Sequence, residues 1–211
     1  MDNNKFYRID SKLSSSTVQV HAVGVDKITF SDDLAAEWHL VMGDYSGISF
    51  PVVFKQEYGK KLQDILDTGW PSLHLISNKM KTVLEDNNLT GWKTFSVKVL
   101  DMQGQEIYGY HGFSVTGRCN KIDYGKSEIV EKRLVPNGPL IKFYQGLHIE
   151  VDKWDGKDFF LPEKYFGIMI TQKVAEIVKK SKLTNVLLEN LTIIETDYST
   201  VQAALQNQDI L

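Results

Sequence analysis

Cysteine is almost missing from this chain. Cys119 is the only one in 211 residues, which excludes an intramolecular disulfide and all but removes cysteine-based metal sites. A large excess of either charge is missing as well, with 24 Lys and Arg against 27 Asp and Glu. The net charge of -3 supplies no basic excess to neutralise phosphates, so nucleic acid is not an expected partner. No apolar run approaches the ~20 residues of a membrane span. The opening MDNNKFYRIDSKL is polar and lacks the apolar core of a signal peptide. Together these absences point to the reducing cytoplasm of a bacterial cell and to no membrane partner. Catalytic spacing is also lacking. The histidines His21, His39, His74, His111 and His148 form no H-x-x-x-H, H-E-x-x-H or Cys/His pattern, and no metal or cofactor is expected from them.

The chain does contain an internal repeat. Residues 76–99, ISNKMKTVLEDNNLTGWKTFSVKV, align without a gap to 170–193, ITQKVAEIVKKSKLTNVLLENLTI, 94 positions later. Ile76 matches Ile170, Ser77 matches Thr171, Lys79 matches Lys173, and Leu89-Thr90 matches Leu183-Thr184. Each copy has the same grammar. A strand (73–76 or 165–170) ends in a hydroxyl residue able to cap a helix. That helix has one apolar stripe, Met80, Val83 and Leu84 in the first copy and Val174, Ile177 and Val178 in the second. It stops near Leu-Thr-Gly or Leu-Thr-Asn, where Gly91 and Asn185 tolerate a positive φ. A second strand follows at 94–100 or 186–194.

Elsewhere, KFYRI (5–9) and TVQVHAVGVDKITF (17–30) read as strands. SDDLAAEWH (31–39) reads as an acidic turn or a short helical piece. Phe54, Tyr58, Leu62, Ile65 and Leu66 fall on one helical stripe, predicting a helix over 53–68 closed by Gly69. DMQGQE (101–106) reads as a hairpin loop and IYGYHGF as a strand. VPNGP (135–139) is a turn or linker and the candidate boundary between halves. The tail 199–211 reads either as a short helix capped by Ser199 or Thr200 or as a frayed end. The expected fold class is α+β: mostly antiparallel strands with a few short helices in one compact body spanning 1–211, with repeat units 73–100 and 165–194.

The pattern of strand, Ser/Thr, short helix, Leu-Thr-Gly/Asn and strand resembles the C-terminal module of bacterial immunity proteins from polymorphic toxin systems, a group long catalogued as a domain of unknown function. Residues 165–195 fit its place and order, and EWHLVMGDYSGISFP (37–51) and GYHGFSVTGRC (109–119) look like segments of bacterial relatives. The resemblance covers the last two-thirds of the chain. Two departures stand out. The helix occurs twice, and Asn185 with Val186-Leu187-Leu188 replaces the usual glycine and aromatic, so Gly91-Trp92 with Phe95 is the closer copy. The resemblance implies a cytoplasmic, non-enzymatic protein that binds a cognate toxin effector and neutralises it. It implies no fixed binding residues.

The binding residues are therefore read from chemistry. Asp32, Asp33, Glu37 and Asp44 form the densest acidic stretch, suited to steering a cationic toxin surface. Trp154, Asp155 and Asp158, within WDGKDFFLPEKYF, mix aromatic anchors with charge. The competing class is a small hydrolase or transferase. It would use His111, or Cys119 with Arg118 lowering the thiol pKa. A scaffold self-associating through its repeats is the third reading.

Overall fold

A computed structural model describes residues 5–206, apart from 13, 26, 27, 29 and 31–33. The elements run β1 (Phe6–Ser11), β2 (Gln19–Ala22), α1 (Ala36–Met42), β3 (Val52–Tyr58), β4 (Ile65–Asp67), β5 (His74–Ser77), α2 (Asn78–Asp86), β6 (Trp92–Phe95), β7 (Val97–Leu100) and β8 (Glu106–Ile107). Then come β9 (Tyr110–Val115), β10 (Gly117–Cys119), β11 (Glu128–Arg133), β12 (Leu140–Gln145), β13 (Phe159–Pro162), β14 (Ile168–Thr171), α3 (Gln172–Lys180), β15 (Val186–Asn190), β16 (Glu195–Asp197) and α4 (Tyr198–Gln206). The class is α+β: mostly antiparallel strands in three sheets, with short helices.

The repeat organises the two larger sheets. One contains the order β10-β13-β14-β1-β15 and the other β2-β4-β5-β9-β6, with β3, β7 and β8 continuing beyond β2. The registers repeat residue for residue. Ile65 faces Ile76 as Phe159 faces Ile170. Ser77 faces Tyr110 as Thr171 faces Phe6. Trp92 faces Val115 as Val186 faces Ser11. In each sheet the strand between the hairpin and the post-helix strand comes from the other half of the chain. The first half lends β1 to the second, and the second lends β9 to the first. The halves are thus joined by exchanged central strands, and separating them would break two full ladders in each sheet.

Both repeat helices stop in the same way. Asn88 and Lys182 adopt positive φ (both 50°), and the next amide N–H, of Leu89 or Leu183, donates back to the carbonyl of Leu84 or Val178. Gly91 and Asn185 also have positive φ. Capping differs between the copies. Ser77 accepts from the Met80 N–H at 3.1 Å, whereas the Thr171 hydroxyl makes no cap bond to its helix and donates instead to Asp158.

The predicted helix over 53–68 is absent. Its first part is β3, in which Val52 and Phe54 are buried at a two-residue period. Tyr58 and Leu62, which would have lain on the buried stripe, are exposed. Gly59 has a φ of 82°, and a Cβ there would overlap the Thr17 carbonyl, so the chain must turn where a helix would continue. VPNGP is the turn of the β11–β12 hairpin within the second half. The tail forms α4 as far as Gln206. Its first turn is held by the Asp197 carboxylate, which accepts from the Thr200 N–H at 2.8 Å and the Ser199 hydroxyl at 2.5 Å, rather than by a Ser199 or Thr200 side chain.

The main core lies between the two large sheets and includes Phe54, Leu66, Leu75, Ile76, Leu84, Phe159, Ile170 and Val174. A second cluster, including Phe6, Cys119, Leu147, Phe160 and Met169, joins β1, β10, β13 and β14 to the segments that follow β12 and precede β16. No helix among the described residues is long and apolar enough to cross a membrane.

Candidate partner-binding surface

Two concave regions carry residues singled out above. The first, of about 280 Å³, is lined by His21, Ala22, Glu37, Glu57, Thr68, Gly69, Trp70 and Leu73. Helix α1 brings Glu37 to it in its first turn, where a carboxylate opposes the positive end of the helix. Strand β3 brings Glu57, and the β4–β5 turn brings Trp70. Among the described residues that line this groove, the charged side chains are the Glu37 and Glu57 carboxylates. Trp70 is 37% exposed and Phe166 is 60% exposed. Phe166 stacks edge-on against Trp38, with ring centroids 5.0 Å apart. The Ser72 hydroxyl donates to the Phe166 carbonyl at 3.1 Å, which ties this aromatic pair to the turn bearing Trp70.

The second region, of about 500 Å³, is lined by Arg118, Cys119, Asn120, Asp152, Lys153, Trp154, Asp155 and Glu163. Its charge is mixed. Trp154 packs edge-on against Phe6 at 5.2 Å and tilted against Phe160 at 5.5 Å, so much of its ring belongs to the second core. Asp155 is exposed, and its carboxylate accepts from the backbone N–H groups of Arg118 (2.9 Å) and Lys157 (3.0 Å).

The remaining acidic residues separate. Asp44 is exposed beyond the end of α1, 3.3 Å from His39 Nδ1. Hydrogen bonds from Ser46, more than the nearby His39, hold its carboxyl below the usual range. Asp158 is buried. It accepts from the Thr90 N–H and hydroxyl at 2.9 and 3.0 Å and from the Thr171 hydroxyl at 3.2 Å, so its carboxylate ties the fold together and faces away from solvent. Asp32 and Asp33 lie outside the described residues.

Asp158 has a partner the sequence reading passed over. Extending the 94-residue offset upstream aligns it with Asp64. Asp64 accepts from the Ser77 hydroxyl at 2.7 Å and from the Thr184 N–H and hydroxyl at 2.8 and 2.9 Å. The signal was present in the repeat but lay beyond its gapless core.

The groups of the enzymatic reading are not poised for chemistry. Burial, then the Asp155 and Glu163 charges, pushes the Cys119 thiol up to about 12. The Arg118 guanidinium turns away, donating to the carbonyls of Val115, Gly117 and Met42. His111 Nε2 sits 2.8 Å from the Asn78 side-chain oxygen. Burial, followed by the charge of Lys81, lowers its pKa.

No curated protein matches the sequence. The model of the Immunity protein family (Imm11) matches residues 5–192, which take in the first repeat, all but the last two residues of the second, both exchanged strands and both concave regions. The chain therefore belongs to the Imm11 family of immunity proteins.

Proposed function

We propose that this protein protects its cell by binding a cognate toxin and covering the toxin's active surface, without catalysis of its own. The family match over residues 5–192 carries this reading. The surface proposed to meet the toxin is the Glu37–Glu57–Trp70 groove with the neighbouring Trp38–Phe166 pair. It combines two carboxylates, whose charge accelerates encounter with a basic partner, with exposed aromatic rings, the side chains that most often dominate interface energy. Asp44 follows the end of α1 and adds an exposed carboxylate there, and Asp32 and Asp33 precede the same helix in the sequence. Trp154 and Asp155 offer a second contact region of mixed charge.

Co-expression with the toxin encoded beside this protein's gene tests the reading. Protection of the cells and a stoichiometric complex are expected. Full toxicity at saturating levels of this protein, with no complex on co-purification, would overturn it. Loss of binding in Trp70→Ala and Phe166→Ala, with Trp154→Ala unaffected, would assign the interface to the acidic groove, and the converse would assign it to the second region.

A further inference from the structure

His74 lies on β5 opposite Asp67 on β4, a cross-strand pair whose side chains share a face. Asp10, on the exchanged strand β1, completes a group whose donor atoms all lie within 4.8 Å of one another. His74 is only 4% exposed; among the described residues neither ring nitrogen makes a well-formed hydrogen bond, and the one polar contact is with Asp10, whose carboxyl, against the effect of burial, the imidazole helps to hold below the ordinary range. Its Nε2 stands 3.3 Å from Asp10 Oδ1. That leaves Nδ1 buried with no partner, which is unfavourable unless something else satisfies it.

The internal repeat supplies a control within the molecule. By the shared registers, His74 corresponds to Ile168, Asp67 to Leu161 and Asp10 to Ser114. Ile168 and Leu161 are buried core residues, 1% and 2% exposed. The fold thus fills this position with two aliphatic side chains in one half and with an imidazole and a carboxylate in the other. Packing alone does not call for the polar set.

We propose that Asp10, Asp67 and His74 bind a divalent transition-metal ion, with Zn²⁺ the best match. Two carboxylates and one imidazole are ligand types that Zn²⁺ accepts, leaving a position for water. Zinc–ligand bonds of about 2.0–2.2 Å in tetrahedral geometry place donors roughly 3.3–3.6 Å apart, so a group spread over as much as 4.8 Å closes by up to ~1.5 Å on binding. Asp10 Oδ1 is already 3.3 Å from His74 Nε2, and its side chain, 46% exposed, leaves the group open to an ion from solvent. Asp67 is already oriented: the Ser11 hydroxyl donates to Oδ2 at 2.7 Å and the Gly69 N–H to Oδ1 at 2.6 Å. Asp10 Oδ1 accepts from the Ser11 N–H at 2.7 Å. Each oxygen keeps a lone pair for an ion, and such outer hydrogen bonds orient metal ligands. Residues 10, 67 and 74 are too dispersed in sequence for any ligand-spacing motif to reveal them.

The test is titration of the full chain with ZnCl₂ by calorimetry, alongside a thermal melt. One Zn²⁺ per chain and a raised Tm are expected. The comparison protein is the double variant Asp67→Leu with His74→Ile, which copies the second half's own solution and is expected to fold. It should lose the bound ion and the Tm response, and Asp10→Asn should weaken both. An unmodified chain that takes up no Zn²⁺, as a simple Asp10–His74 ion pair requires, overturns the proposal. So does equal binding by the folded double variant, which would place the ion elsewhere.

Discussion

Asp64 and Thr184 are 120 residues apart in the chain and hold each other through three hydrogen bonds. The Thr184 N–H and hydroxyl donate to the Asp64 carboxylate, and the Asp64 N–H donates to the Thr184 hydroxyl oxygen. Asp158 and Thr90 repeat the arrangement with the halves reversed. Each half thus presents its carboxylate to the helix end of the other, and the two clasps reinforce the strand exchange. Lys79 adds to the first clasp, donating to Asp64 at 3.4 Å and to the Lys182 carbonyl at 3.1 Å.

Removing either clasp should be costly. Asp64→Ala and Asp158→Ala each remove the buried acceptor shared by several hydrogen bonds between the halves, and each should lower stability by about 1–3 kcal/mol. Urea unfolding measures this. Exposed Asp155→Ala, as a control, should change stability by about 1 kcal/mol or less.

The first clasp also predicts acid sensitivity. Burial alone would raise the Asp64 pKa, but hydrogen bonds from Ser77 and Thr184 and the Lys79 charge together bring it below the ordinary value. A carboxyl depressed in the folded state contributes stability above its unfolded pKa of about 3.9 and loses it as pH falls through the folded value. Stability should therefore decline below about pH 4. Asp64→Asn should be less stable at neutral pH and show a flatter acid limb in denaturation curves taken from pH 7 to pH 2.

Two glycines with similar φ should respond differently to alanine. Gly91 (φ 83°) has the Phe159 carbonyl where a Cβ would go, whereas Gly156 (φ 78°) faces open space. Gly156→Ala should lower stability by about 1–2 kcal/mol, the strain of a left-handed L-residue. Gly91→Ala adds a backbone collision with β13 and should lose about 3 kcal/mol or more. Paired thermal melts compare them directly.

The thiol should be inert. With its pKa near 12 and its side chain buried, Cys119 should react with a disulfide reagent only as fast as the protein unfolds. Cys119→Ala should leave protection against the toxin unchanged. A rapid native-state reaction at pH 7 would contradict the first, and a loss of protection in the folded variant the second.

Toxin binding, if it uses the acidic groove, should depend on salt. Glu37→Lys with Glu57→Lys should slow association about tenfold at low ionic strength, with the difference shrinking as salt rises towards 1 M. Stopped-flow association with the purified toxin domain checks this.

Local features of the chain were legible without coordinates. The repeat, the strand–helix–strand grammar, the Ser77 cap and the buried faces of α2 and α3 depend on neighbours within a few residues, and the sequence carries that periodicity directly. The stripe over 53–68 misled for the same reason. Its helical spacing was real, but pairing of β3 with β2 and β7 outweighed local propensity.

The amino-acid order by itself determined that the chain uses one strand–helix–strand unit twice, that it has no disulfide to close it, and that its charge is nearly balanced. Only the tertiary structure decided which half each central strand joins, because ladder partners such as Tyr7 and Ile170 are set by long-range pairing. It also decided that Asp158 faces inward while Asp155, three residues earlier, faces water. Burial depends on what packs from elsewhere, and for Asp158 that is Thr90, 68 residues away.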